Sequence, residues 1–535
     1  MNTSLIINWV RCNLIRDRFV EQFIKENKSK SSRFLRTSHN SKRVALFESN
    51  QAYSTHILYS LICRVKLEDK IKLIAYRPLR YKKFKDSVSF TLFSKIRLDN
   101  AINRPYRILK SMGVTEFIQP KGLGRYKSKA TRDYMNTLSK DKNEILNLVI
   151  DKIRVGDIFY DWYLRESLQD TLDVNEKEFK FNFIFFMCNF YWWLEYMKKN
   201  QIDSVYTSHS CSDLALPARI GIEVGASAYV AAWGKMYKID KSKLFSDLEF
   251  LDYNPKSDEQ FGYEINLQNS RHLLNKAKTG DIVIDAHVLG SGYNGKHYNE
   301  VVEDKNDFNI LIAAHCFSDP PHSYGDMLFP DFTEWLNFIG VVSVATNFKF
   351  YAKGHPAFWE SDKLNFEKFL CKFPNIKRVP SDISNLELFK QGIKVVLTVN
   401  GTIAFEAADE GILVINASKI SPHMNYSFSL SPNSLTEYQE LIHNSPDIVD
   451  NWQVDSTEVE HFFDLHHVRK KTNFLFGANT ASFYSHIGGS MNQFNNPKVF
   501  DYWMNNLPDS HREMIAKKVD KFLSSNQYML SDMSQ

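Results

Sequence analysis

The sequence predicts an α/β protein built from two Rossmann-like domains in tandem. Three observations carry that prediction. The chain has 535 residues, more than one compact core accommodates. Short apolar runs alternate with helical patterns twice along it. Polar, glycine-bearing loops follow the apolar runs of the second series, where an open parallel sheet presents its ligand-binding edge. Composition agrees with buried cores: 43% of residues are apolar and 14% aromatic. Lys and Arg number 67 against 62 Asp and Glu, a net charge of +5. That balance gives no footprint for nucleic acid, so no nucleic-acid partner is expected.

The elements follow in order. Residues 25–43 (KENKSKSSRFLRTSHNSKR) close a basic leader, 1–41, read as a solvated tail with contact to anionic lipid as the second reading. The run VALFESN, a helical stretch and IKLIAYRP make strand, helix, strand. A further apolar alternation lies in RILKSMGVTEFIQPK, and residues 202–208, SCSDLALPARIGIEVG and ASAYVAAW repeat strand, helix, strand. The first domain therefore spans 42–240, with a helical insertion at 127–195. Residues 241–305, including GSGYNG at 290–295, read as a linker. A second domain, 306–490, follows with strands at 309–314, 348–353, 394–399 and 412–416 and helices at 332–345, 359–373 and 403–410. The remainder, 491–535, is helical and predicted to pack back across both domains.

No secretory signal is predicted, because Asn8, Arg11, Asn13 and Arg16 interrupt the first residues before an apolar stretch develops. Residues 183–197 are the most apolar segment. They contain Asn189 and Glu195 and fall short of the ~20 residues that span a bilayer, so they read as a buried helix. Cys12, Cys63, Cys188, Cys211, Cys316 and Cys371 are scattered without metal-ligand spacing. A reducing, cytoplasmic compartment and no metal centre are expected.

Four loops at strand ends hold the candidate chemistry. The first, residues 315–324, gathers His315, Asp319 and His322 around a Pro-Pro pair, with Asp319 as base or nucleophile and a histidine as its partner. In the second, Lys353-Gly354-His355-Pro356, glycine admits close backbone approach and His355 donates to a phosphate oxygen or leaving group. The third, Asn400-Gly401-Thr402, opens a helix whose first N–H groups suit a phosphate; Glu406, one turn on, either meets ribose hydroxyls or is solvated. The fourth carries His423 and Tyr426 and is expected to close over a base. No Walker loop, strand-linked G-x-G-x-x-G, G-x-S-x-G or H-E-x-x-H occurs.

The tandem α/β pattern, K-G-H-P after a strand and V-N-G-T-x-x-x-E-A-A-x-x-G before the next resemble GT-B glycosyltransferases of bacterial capsule and O-antigen assembly. Within that group the sequence is most similar to CMP-sugar users such as Kdo transferases and His-Pro sialyltransferases. The resemblance covers residues 309–418. It implies a GT-B fold, a CMP-linked sugar (Kdo or a related ulosonic acid) as donor substrate, no cofactor and no metal. It further implies His355 with Asn400, Gly401 and Thr402 at the donor phosphate, Lys353 and Pro356 beside them, and Asp319 at the anomeric carbon. The acceptor, an oligosaccharide or lipid-linked glycan, would enter from the first domain, with Asp161, Arg165, Ser208 and His209 as contacts. Asp161 and Arg165 equally suit an intrahelical ion pair. A polyol-phosphate transferase, a UDP-sugar enzyme and a non-catalytic scaffold are the alternatives.

Overall fold

The computed structural model describes residues 17–38, 40–49, 52–77, 104–232, 234–248, 267–279, 295–298, 300–317, 319–469, 474–489 and 496–530. The glycine loop at 290–294 and the first sixteen residues lie outside them.

The first body starts with a helix, α1 (Arg18–Ser38), then β1 (Arg43–Glu48), α2 (Tyr53–Glu68), β2 (Lys72–Tyr76), α3 (Arg104–Ser111) and β3 (Glu116–Ile118). An inserted region carries α4 (Lys127–Met135), α5 (Lys142–Leu146), the hairpin β4 (Val149–Ile150) and β5 (Ile153–Arg154), α6 (Gly156–Ser167) and α7 (Lys177–Lys199). The sheet resumes with β6 (Gln201–Thr207), α8 (Ser212–Glu223), β7 (Ser227–Ala232) and β8 (Lys235–Ile239). Strand order is β3-β2-β1-β6-β7-β8, parallel except for the antiparallel β8 edge.

Both faces of this sheet are covered, which is why β1 reads as a continuous apolar run. Ala45 and Phe47 point into one core, with α1, α2 and the C-terminal helices. Val44 and Leu46 point into the other, with α4, α6, α7 and α8. The aromatic segment of α7 fills that second core: Phe183, Phe186, Phe190 and Trp193 are buried.

The second body opens with α9 (Leu267–Thr279), then β9 (Asn309–Ala313), α10 (Phe332–Ala345), β10 (Lys349–Lys353), α11 (Glu360–Lys372), β11 (Ile376–Val379), α12 (Asn385–Lys390), β12 (Ile393–Thr398), α13 (Ile403–Asp409) and β13 (Leu413–Asn416). Its five strands run in the order β11-β10-β9-β12-β13, all parallel. Beyond it lie α14 (Leu435–His443), α15 (Ser445–Asp450) and α16 (Ser456–Phe463), and a π turn at Asp464–Arg469 ends this body. The chain then returns as α17 (Thr480–Ile487), α18 (Lys498–Asp501) and α19 (Asp509–Leu523). The chain thus forms two α/β bodies, one sheet fully and the other largely parallel, with the C-terminal helices returned to the first.

The structure differs from the sequence reading at three boundaries. The described part of the leader is not solvated: Val20, Phe23, Ile24, Asn27 and Ser31 form a buried stripe at helical spacing, and Phe23 stacks on Phe500 at 4.1 Å. Part of the linker belongs to the second body, because α9 buries Leu274 and Ala277 against Phe405 and Phe462 and pairs Arg271 and Lys278 with Asp409. The return begins before residue 491, since Phe474, Phe476, Phe483 and Ile487 already lie in the first body's core. The returning helices pack on that body rather than across both.

The bodies are joined through the insertion. Tyr160 and Thr171 hydroxyls each donate to Asp331 Oδ2 at 2.6 Å, Arg154 pairs with Asp326 at 2.6 Å, and Lys142 pairs with Glu334. Asp331 also caps α10, accepting from Glu334 N–H, so the helix start and the joint share one carboxylate.

Candidate functional site

In an open α/β sheet the crevice for ligands forms where strand order reverses, beyond the carboxyl ends. In the second body that point lies between β9 and β12. The loop after β9 carries His315 as its second residue and the loop after β12 begins with Val399, and the two are tied directly. Val399 N–H donates to His315 Nε2 at 3.3 Å, and Thr398 Oγ1 lies 3.2 Å from the same nitrogen. Thr398 Oγ1 also accepts Gly401 N–H, and a methyl at Gly401 would sit 2.8 Å from that oxygen. Glycine is therefore required for the turn to close. His315 stacks on Phe332 at 4.8 Å, and burial, aided by nearby His355, pushes its pKa down to about 3. It stays neutral with its proton on Nδ1. That corrects its expected catalytic role: it braces the turn and is neither acid nor base near neutral pH.

His355 stands at the end of β10, beside β9. Its Nδ1 accepts Ala357 N–H at 3.1 Å and lies 3.3 Å from Cys316 Sγ. An imidazole that accepts at Nδ1 carries its neutral-form proton on Nε2, the donor a phosphate oxygen requires. Burial raises the Cys316 thiol to about 12, so it remains protonated. Pro356 is exposed, and a Cβ at Gly354 would meet the Phe358 ring at 2.8 Å. Asn400 and Gly401 are half-buried; Thr402 is exposed and makes no capping bond to α13. Asp319 is exposed, its N–H bonded to Cys316 O at 3.2 Å. Its charge acts on Cys211 of the first body, which sets the two strand-end loops toward each other.

Four other expected donor contacts sit elsewhere. Lys353 is 7% exposed, with Nζ on Ile383 O and Asn385 Oδ1, and burial lowers its pKa to about 8. Asn385 passes on to Glu406, donating to Oε2 at 2.6 Å. Lys353 and Glu406 thus belong to one buried polar chain behind the strand ends, neither solvated nor turned to ribose. His423 and Tyr426 are buried among Phe428 and Phe462, and burial drops His423 to about 3. They pack the α13–α16 layer instead of closing over a base.

The first body has its own switch point, between β1 and β6. Ser208 follows β6 there and is 3% exposed; its N–H donates to Glu48 Oε2 at 2.6 Å and its hydroxyl lies 2.9 Å from the same atom. His209 is exposed, with Nδ1 2.8 Å from Ser208 Oγ. Glu48 was missed from sequence, although a carboxylate ending the apolar run VALFE is a visible signal.

Asp161, an expected acceptor contact, is instead 1% exposed and bonded to His322 Nδ1 of the second body at 2.6 Å. Burial alone would lower the His322 pKa; the Asp161 carboxylate overrides it and holds the imidazole above its ordinary value. Arg165 is exposed and, among the described residues, makes no ion pair, so the intrahelical pair with Asp161 does not form. The His322 Nδ1 edge is thereby engaged with Asp161. Among the described residues no three of His, Cys, Asp and Glu gather as a metal site, and no helix is long and apolar enough to cross a membrane.

No protein-family model matches the chain, and no curated protein matches it. Among solved structures, the S. aureus MnaA–UDP co-structure aligns over 81% of this chain and 97% of its own at 10% identity, TM-score 0.25. The Neisseria meningitidis UDP-GlcNAc 2-epimerase bound to UDP-GlcNAc aligns over 79% and 98% at 10% identity, TM-score 0.26. Acinetobacter baumannii MurG aligns over 90% and 100% at 8% identity, TM-score 0.20. Likeness at that level carries no argument of its own, and the two-body architecture stands on the strand orders and the returning helices.

Proposed function

We propose that this protein is a GT-B glycosyltransferase that moves a sugar from a nucleotide-activated donor on the second body to a glycan on the first. One observation carries the reading. At the switch point between β9 and β12, the turn 398–402 is braced by His315 while His355, locked by Ala357 N–H at Nδ1, offers Nε2–H from the neighbouring strand end. Donors fixed in advance suit a leaving phosphate, because charge develops on its oxygens as the glycosidic bond breaks. Asp319 serves the anomeric carbon, where a carboxylate stabilises the positive charge that builds as the bond stretches. The acceptor approaches from the strand ends of the first body, near Ser208 and His209.

The motif K-G-H-P with V-N-G-T supports a CMP-linked donor, and the acceptor is an oligosaccharide or lipid-linked glycan at the cytoplasmic membrane face. Exposed Arg18, Lys25, Lys28 and Arg33 on α1 give that contact a basic surface. A thermal-shift panel of CMP, CDP, UDP and GDP tests the reading, followed by turnover of the matching nucleotide sugars. CMP raises the melting temperature, and Asp319→Ala lowers turnover at least ~100-fold while leaving the nucleotide shift intact. A shift with UDP alone moves the donor assignment to a UDP-sugar; no shift with any nucleotide removes the function.

A further inference from the structure

Besides His355, the loop between β10 and α11 carries an exposed apolar edge made of Pro356, Ala357 and Trp359. Trp359 is 52% exposed. Among the described Phe, Tyr and Trp residues of the second body it is the one that stands out into solvent, the others being buried or half-buried. A single apolar side chain on a surface needs no explanation by itself. This one is held from both sides. Trp359 N–H donates to Asp362 Oδ2 at 2.9 Å, its carbonyl accepts Lys363 N–H at 3.1 Å, and Phe358 N–H donates to His355 O at 3.1 Å. Phe358 packs inward, 5.6 Å from the Phe366 ring and 6.0 Å from Phe317. The indole is therefore an open flat face on an anchored turn, and little conformational freedom is lost when a flat partner covers it.

Two observations point to that partner. Helices α10 and α11 pack on one face of the second sheet, through Trp335, Phe366 and Phe369, and α13 packs on the other, through Ala404 and Ala407. Thr402 is the N-cap of α13 and Trp359 the N-cap of α11. A ligand whose phosphate lies at the turn 398–402 and beside His355 thus crosses the carboxyl edge of the strands from the α13 side toward the α11 side, where Trp359 stands. On the opposite flank, beyond β13, the rings expected over a base face inward: His423 and Tyr426 are 1% and 4% exposed. The flat end of a nucleotide has its exposed ring on the α11 side.

We propose that Trp359 is the stacking platform for the base of the nucleotide donor; this rests on the glycosyltransferase reading above. The indole covers one face of the base and removes apolar surface of both rings from water, while the turn 398–402 and His355 hold the phosphate. Stacking asks for a flat π-face rather than a pattern of donors and acceptors, so an aromatic replacement serves and an aliphatic one of similar apolarity does not. Pro356 and Ala357 continue the apolar edge toward His355 and keep the span between base and phosphate free of competing charge.

The test is calorimetric titration of the full chain with CMP, or with whichever nucleotide of the panel raises its melting temperature most. Trp359→Ala and Trp359→Leu weaken binding at least ~10-fold, Trp359→Phe stays within about threefold of wild type, and all three melt with the wild type in the absence of nucleotide. Nucleotide also changes the tryptophan fluorescence of the wild type, and that change is lost in Trp359→Phe. Affinity of Trp359→Ala within about twofold of wild type overturns the platform and leaves the glycosyltransferase reading standing; a raised KM for the glycan in that variant then assigns the ring to the acceptor. Equal losses in the Phe and Leu variants also overturn stacking. A wild-type chain that binds no nucleotide overturns the reading itself, and the platform with it.

Discussion

A methyl group at Gly156 would sit 2.0 Å from the carbonyl oxygen of Ile145 and 2.5 Å from that of Leu146. Backbone atoms cannot yield as a flexible side chain can, so Gly156→Ala is expected to cost at least ~2 kcal/mol in chemical denaturation, and a neutral result would mean that α6 can shift away from α5. Legibility at this scale divided by burial. The strand-end positions of His355, Gly401 and Asp319 were readable because they sit in short polar loops directly after apolar runs. His423, Tyr426, Lys353 and Glu406 were misjudged because sequence spacing does not say which way a loop or helix turns its side chains. Each is buried against its own body. Asp161 failed for a different reason: its partner, His322, is remote in sequence, and no local pattern announces a contact across the joint.

Among the elements, α1 tests how far the first body depends on its leader. Phe23 is 2% exposed and stacked on Phe500 of α18, and Arg107 of α3 holds Glu21 at 2.7 Å. Phe23→Ala should cost ~3–5 kcal/mol and raise hydrogen exchange across α1 and α18, while nucleotide binding by the second body stays as it was. Unchanged exchange in α18 would separate the two elements. Strands such as β1, β9 and β12 were legible as apolar runs because both faces of a parallel sheet are covered. The helix α1 was not, because its many Lys, Arg and Ser residues mask a buried stripe of only one residue in three or four. Short β11 and the antiparallel edge β8 also escaped, the first being four residues long and half-buried at its centre.

For the whole molecule, the joint between the bodies carries a pH dependence with a definite sign. His322 and Asp161 are each 1% exposed and bonded at 2.6 Å, with Asp157 and Asp331 also acting on the imidazole. A histidine whose folded pKa is raised contributes stability that is fully present below its unfolded value of about 6.5 and is lost as pH climbs through the folded value. Asp161→Asn should therefore lower stability by ~3 kcal/mol at pH 6, with the difference from wild type shrinking toward pH 9 in thermal melts. A difference independent of pH would mean that the imidazole is neutral in the joint. The tandem architecture was legible from two runs of strand and helix; the closing of the first core by the chain's end was not, since nothing in residues 474–523 names its partner. That closure orders events on the ribosome. Phe474, Phe500 and Phe522 complete a core whose strands were synthesised hundreds of residues earlier, so the second body, complete by about the π turn, folds while one sheet face of the first is still only partly covered, by α1, α2 and α3. The protein matures from its middle, and its oldest segment is the last to be sealed.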